Sequence, residues 1–174
     1  MASYYYLISS LPDLRTAGEM PIRYEEFLQC CESNVSESVY ELLANLSIAS
    51  KTGPLIAEWA GFYENLSKEL NYQRSVGLGR TYSSAYDKNG VNAQVVSAAL
   101  SAGNPLEAER ILLDYEFEQL DYLTELHFFD EYVLFGYALK LKLLERQSCF
   151  EKTRGQTEFK MLFESVQQSV YSLS

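Results

Sequence analysis

Glu131-Tyr132-Val133-Leu134-Phe135-Gly136-Tyr137-Ala138-Leu139-Lys140-Leu141-Lys142-Leu143-Leu144-Glu145-Arg146-Gln147-Ser148 is the stretch on which the fold turns. Val133, Leu134, Tyr137, Leu141 and Leu144 recur at the spacing of an amphipathic helix, and Asp130 just ahead has the short acceptor side chain of an N-cap. Lys140, Lys142, Glu145 and Arg146 keep the run well below the roughly 18 apolar residues of a membrane span. It reads as a buried helix of a soluble protein.

Helical patterns extend outward from it in both directions. Pro105 opens a helix through about residue 126, with a kink expected near Asp121, and a small apolar helix over 92–102 stops at Gly103-Asn104. A helix over 54–75 carries Leu55, Trp59, Phe62, Leu66 and Leu70 on one stripe, opposite Glu58, Glu64, Lys68 and Glu69. Ser36 or Ser38 caps a helix to about Ala49, and a short helix over 24–32 turns Phe27, Leu28 and Cys31 inward. The last pattern, 157–172, presents Phe159, Leu162, Val166, Val170 and Leu173 at near-heptad spacing, with no cap in sequence. Residues 76–92 hold glycine-containing loops around a possible short helix at 81–86. Tyr4-Tyr5-Tyr6-Leu7-Ile8 is read as extended, the alternative being the first turn of a helix. The expectation is an all-α fold, about seven helices in an irregular bundle with a short extended N-terminal segment. It forms one domain over 1–174, with a subdivision near 76–92.

Composition narrows the function classes. The 174 residues include 14 Lys+Arg against 24 Asp+Glu, a net charge of −10, with 47% apolar and 14% aromatic residues. So many aromatics argue against wholesale disorder, and so acidic a chain lacks the lysine and arginine surface that phosphate backbones require. No nucleic-acid partner is expected. The N-terminus has neither the early positive charge nor the apolar length of a signal peptide. Cys30, Cys31 and Cys149 are odd in number, with two adjacent, which favours reduced thiols over a disulfide framework. With one histidine and no CxxC, no metal is expected.

Candidate chemistry is sparse. Gly77-x-Gly79 lacks the rest of a phosphate-binding fingerprint, so Arg74 and Arg80 beside it flank a plain loop. His127, the sole histidine, is better explained by a bond to a nearby carboxylate at a helix junction than by nucleophilic catalysis. Glu107, Glu109, Asp114, Glu116, Glu118, Asp121 and Glu125 read first as a solvated helix face, then as an acidic docking face, and least as acid–base machinery. Lys142 and Arg146, four apart, share a face, with Glu145 expected to point elsewhere. With Lys140 they form a basic edge that either closes internal salt bridges to the 107–125 helix or meets a partner.

Several segments carry a resemblance. Tyr4-Tyr5-Tyr6-Leu7-Ile8-Ser9-Ser10-Leu11-Pro12-Asp13-Leu14, Asn104-Pro105-Leu106-Glu107-Ala108-Glu109-Arg110, Phe128-Phe129-Asp130 and Tyr137-Ala138-Leu139-Lys140-Leu141-Lys142-Leu143-Leu144-Glu145-Arg146 together resemble a bacterial family. Its members are typically encoded inside V-type ATP synthase operons, and the likeness runs from residue 4 to about 160. That family in turn is similar to the C-type subunit of V/A-type ATPases, whose eukaryotic counterpart is the d-type subunit. The C-type protein is an all-helical funnel without catalytic residues that sits on the membrane rotor ring and receives the foot of the central stalk. The resemblance implies a non-enzymatic structural or assembly subunit in ion transport, without cofactor. Its partners would be the stalk and ring subunits, and it would reach the inner membrane from the cytoplasm only through them. A stand-alone helical adaptor is the alternative. The partner-binding candidates are Glu107, Glu109, Asp114, Glu118, Lys140, Lys142 and Arg146. In relatives a small capping residue is expected where Arg23 stands, which predicts a weak start to the 24–32 helix.

Overall fold

Helix formation follows the apolar periodicity, and Ser36, Asn89 and Asn104 mark three of the helix starts as capping residues. A computed structural model describes residues 4–83 and 85–148. Among them are seven helices and no strand: α1 Tyr5–Ser10, α2 Tyr24–Glu32, α3 Glu37–Ala44, α4 Ile56–Gly77, α5 Gly90–Leu100, α6 Pro105–Thr124 and α7 Glu131–Ser148. The all-α bundle is therefore observed. The expected helix over 157–172 and Cys149 lie outside the described residues. No described helix is long and apolar enough to cross a membrane.

Local chemistry sets the boundaries. Ser36, not Ser38, caps α3, accepting from the Val39 amide at 3.4 Å. Asn89 caps α5 through the Val91 amide at 2.8 Å and Asn104 caps α6 through the Glu107 amide at 2.9 Å. Pro105 follows Asn104 in the first turn, where its missing N–H is harmless. Arg23 gives α2 no side-chain cap, and its backbone N–H donates to the Glu26 carboxylate at 2.9 Å, the reciprocal half of a capping box.

Two expectations need correction. Residues 5–10 are helical rather than extended. An extended segment needs a neighbouring strand for its backbone groups, whereas here the Ile8 amide bonds back to the Tyr4 carbonyl at 2.9 Å. Helical spacing also buries Tyr4 and Leu7 together while Tyr5 and Tyr6 face out. The stretch 81–86 forms no helix at any described residue. Side chains hold it instead, with Tyr72, Tyr82 and Tyr86 in mutual ring contact.

Helix α6 packs on α4, α5 and α7, and α7 is the helix that buries the most residues. It lies against α6 and also against α2, while α5 packs on α6 and on α4, and α3 packs on α2. Contacts on more than one side explain why α7 buries more than its expected stripe. Phe135, Leu139 and Leu143 are fully buried, whereas Val133 and Tyr137 are only half-buried. Gly136 lets α6 approach closely, since a β-carbon there would meet Thr124 Cγ2 at 2.8 Å. Tyrosine and tryptophan tips pin the elements across the core: Trp59 Nε1 donates to the Ile48 carbonyl at 2.9 Å, Tyr24 to Leu43 at 2.7 Å, and Tyr137 to Pro12 at 2.9 Å.

Candidate functional site

The charged residues of α6 and α7 are set first by their helix faces. Arg146, on the last turn of α7, reaches Glu109 through Nε at 2.6 Å and holds Glu116 with both terminal nitrogens. Glu109 and Glu116 are buried, so this part of the acidic series is a seam between helices rather than a solvated face. Burial raises the Glu116 carboxyl above its ordinary value, and the bonds and charge from Arg146 oppose that shift. Burial pulls the Arg146 guanidinium down, but Glu116 and Glu109 outweigh it and hold it above its usual value. Such a seam requires both signs to persist together.

The other candidates divide into braced and open groups. Lys140 donates to Asp121 at 2.5 Å and lies 5.4 Å from the Phe117 ring centre. Lys142 sits 3.5 Å over the Tyr24 ring and donates to Glu145 at 3.2 Å, so Glu145 turns toward this lysine instead of away from it. Glu107 accepts from the Gly103 amide at 3.2 Å, completing the cap of α6. Asp114 and Glu118 are exposed and form no ion pair among the described residues. Lys140 and Arg146 of the basic edge thus close internal salt bridges to the 107–125 helix, one of its two expected roles, whereas Lys142 pairs within its own helix. Arg74 and Arg80 are both exposed.

A second polar cluster joins α4 to the segment before α5. Buried Glu69 accepts from Tyr86 at 2.6 Å and from Gln73 at 2.7 Å, and Gln73 also donates to the Ala93 carbonyl at 2.9 Å. Burial, then the bond to Glu69, raises the Tyr86 phenol above its ordinary value. Every polar side-chain atom buried among the described residues has a partner, and no group of acids, cysteines and histidine there is arranged to hold a metal. A groove of about 490 Å³ lies between loop 16–20 and the ends of α6 and α7, lined by Met20, Leu106, Arg110 and Leu144 among others.

His127 occupies the junction that its sequence context suggests. Its Nδ1 lies 2.7 Å from Asp130, and its ring stacks on Tyr132 with centres 4.1 Å apart. Asp130 also accepts from the Val133 amide at 3.2 Å, capping α7. Beside this junction is a contact that residue-by-residue reading of the chain missed. The Tyr4 amide donates to the Phe129 carbonyl at 2.7 Å, which docks α1 on the α6–α7 turn. Tyr5 packs on Phe129, and Tyr5, Tyr6, Tyr122, Leu126 and Phe128 are exposed. Phe129 has φ +53°, a left-handed backbone that costs a bulky L residue on the order of 1–3 kcal/mol. The Tyr4–Tyr6 run and the Phe128-Phe129 pair were the available signals, but only the fold brings them together.

Comparison with protein-family models, with curated proteins and with solved structures returns no match to this chain.

Proposed function

We propose that the chain is a non-catalytic structural or assembly subunit of a bacterial V-type ATPase, coupling the membrane rotor ring to the central stalk. The observation that carries this reading is the resemblance on the segments 4–14, 104–110, 128–130 and 137–146. What those segments do in the bundle supports it. Tyr4 and Pro12 tie the first residues to the α6–α7 turn and to α7, Asn104 caps α6, and Arg146 locks α7 to α6. Residues that brace helices against one another suit a part that must carry load, because a rotary coupler transmits torque only through a stiff frame. In this reading Asp114 and Glu118, left without internal ion pairs, join Glu107 in facing a partner.

The stand-alone adaptor remains as a second reading because exposed aromatics such as Tyr6 and Phe128 would suit a protein partner outside the ATPase. A tagged chain recovered from the host's native membranes in mild detergent, with its partners read by mass spectrometry, separates the two. Stoichiometric stalk and ring subunits are the expected result. Trace amounts, seen only in assembling cells, assign an assembly role, and their complete absence hands the function to the adaptor reading.

A further inference from the structure

The chain between α4 and α5 is attached to the bundle by side chains alone. Among the described residues of 81–88, no backbone N–H or carbonyl enters a backbone–backbone hydrogen bond, and no side chain packs on the main hydrophobic core. The loop between α1 and α2 differs, because its Leu14, Met20 and Ile22 pack against that core. Three side chains hold the stretch down instead. Tyr86 donates to Glu69 at 2.6 Å, the Tyr82 and Tyr86 rings lie against Tyr72, and Lys88 sits 5.1 Å from the centre of the Tyr72 ring. Tyr82 and Tyr86 are half-buried, and the other described residues of 81–88 are exposed.

The two ends are secured separately. The Arg80 amide donates to the Ser75 carbonyl at 2.8 Å, closing the end of α4, and the Asn89 side chain caps α5. Helices α4 and α5 pack directly on each other and both pack on α6. Gln73 bridges them by donating to the Ala93 carbonyl at 2.9 Å, and it is also the second donor to Glu69, at 2.7 Å. When Tyr86 leaves, Glu69 keeps the bond from Gln73 and gains water. Neither the helix pair nor its buried carboxylate therefore needs the stretch to lie flat. Segments with few buried apolar contacts and no backbone ladder open at the low end of a protein's stability range. The closed position here rests chiefly on one charge-assisted hydrogen bond, which is among the stronger kinds of side-chain contact.

We propose that the described residues of 81–88 form a strap that lifts off α4 while the bundle stays folded, with the Tyr86–Glu69 bond as its latch. Lifting uncovers Glu69 and Tyr72, and closing hides them again, so the strap decides when that face of α4 can be reached from solution. Neither functional reading above is needed for it.

Limited trypsin digestion of the full chain, with cleavage after Lys88 followed by mass spectrometry across a low-urea series, tests the latch. Proteolysis of a transiently opened segment tracks its open population when opening and closing are fast. Wild type should be cut at least about tenfold more slowly than a short peptide spanning 80–92. The rate should rise with urea far less steeply than global unfolding does, because lifting the strap exposes little surface. Tyr86→Phe keeps the ring and loses only the hydroxyl, and it should be cut about tenfold faster than wild type with its circular dichroism unchanged. Tyr82→Phe removes a phenol outside the latch and should leave the rate as it is. Cleavage with the urea dependence of global unfolding would mean that the stretch leaves only when the bundle melts. Tyr86→Phe cut at the wild-type rate, or both variants accelerated equally, would mean that this bond is not the latch. Wild type cut as fast as the peptide would mean that the strap does not close. Any one of these results overturns the proposal.

Discussion

Arg146 grips the Glu116 carboxylate with both terminal guanidinium nitrogens, joining the last turn of α7 to a buried face of α6, while its Nε holds Glu109. Removing the cation leaves two carboxylates in a place from which water is largely excluded. Arg146→Ala should therefore destabilise the fold by about 3–5 kcal/mol in urea unfolding. The triple variant Arg146→Met/Glu109→Gln/Glu116→Gln should recover most of that loss, since it removes the stranded charge along with its partner. A single variant that unfolds at the wild-type midpoint would show that water enters the seam freely.

Gly136 and Thr124 make a second close joint between the same helices. Gly136→Ala gains helix propensity, worth about 1 kcal/mol, but places a methyl against Thr124 Cγ2. The threonine cannot turn away at no cost, because its Oγ donates to the Leu120 carbonyl at 2.8 Å. A net loss of about 1–2 kcal/mol is expected. Thr124→Ser in the same chain should reverse it, since serine keeps the hydroxyl and lacks the methyl. Additive unfolding energies in the four-member cycle would count against the contact.

Asp130 has two tasks, capping α7 and anchoring His127. Asp130→Ala loses both and should lower stability by about 1–2 kcal/mol, while Asp130→Asn keeps an acceptor for the Val133 amide and should lose less. Thermal unfolding of the two variants side by side measures the difference. Equal losses would mean that the negative charge, not the cap, is what matters.

Alkaline pH should weaken the bundle. Burial pushes the Cys31 thiol up from 9.0 to about 12, and burial raises the phenols of Tyr24 and Tyr137 as well. These groups ionise in the unfolded chain before they do so in the native one. The stability they contribute is complete below the unfolded values and is lost as pH rises through the window from about 9 to about 12. Denaturant midpoints measured under reducing conditions should fall between about pH 8 and about pH 10, and Cys31→Ala should flatten the start of the decline. Iodoacetamide at about pH 8 should label exposed Cys30 well before buried Cys31, as read by peptide mass spectrometry.

How much of this was legible in the chain varies by kind of feature. Helix α7 and its cap Asp130 were legible because periodicity and capping are local. Phe135, Leu139 and Leu143 were not assigned to the core, because α7 is covered on more than one side, by α6 at Gly136, Lys140 and Arg146 and by α2 at Tyr137 and Lys142, where a single stripe assigns one side to solvent. The pairing of the basic edge with α6 could be foreseen from opposite charges on consecutive helices. That Glu116 is buried and Asp114 exposed depends on the rotation of α6 about its axis, which its mixed pattern leaves open. The tyrosine run at residues 4–6 looked extended because tyrosine favours strands, and no local signal reveals that the Phe129 carbonyl waits for the Tyr4 amide. The contact of Tyr5 with Phe129 was hidden for the same reason.

The two clamps on the first residues, Tyr4 to Phe129 and Tyr137 to Pro12, join parts of the chain made far apart in time. During synthesis the opening tyrosines leave the ribosome long before the α6–α7 turn exists to receive them. Until then Tyr4 and Leu7 are adhesive segments without a seat, within reach of chaperones or of neighbouring nascent chains. Docking of α1 thereby has to wait for the α6–α7 turn, and the clamp on Pro12 has to wait for Tyr137 of α7.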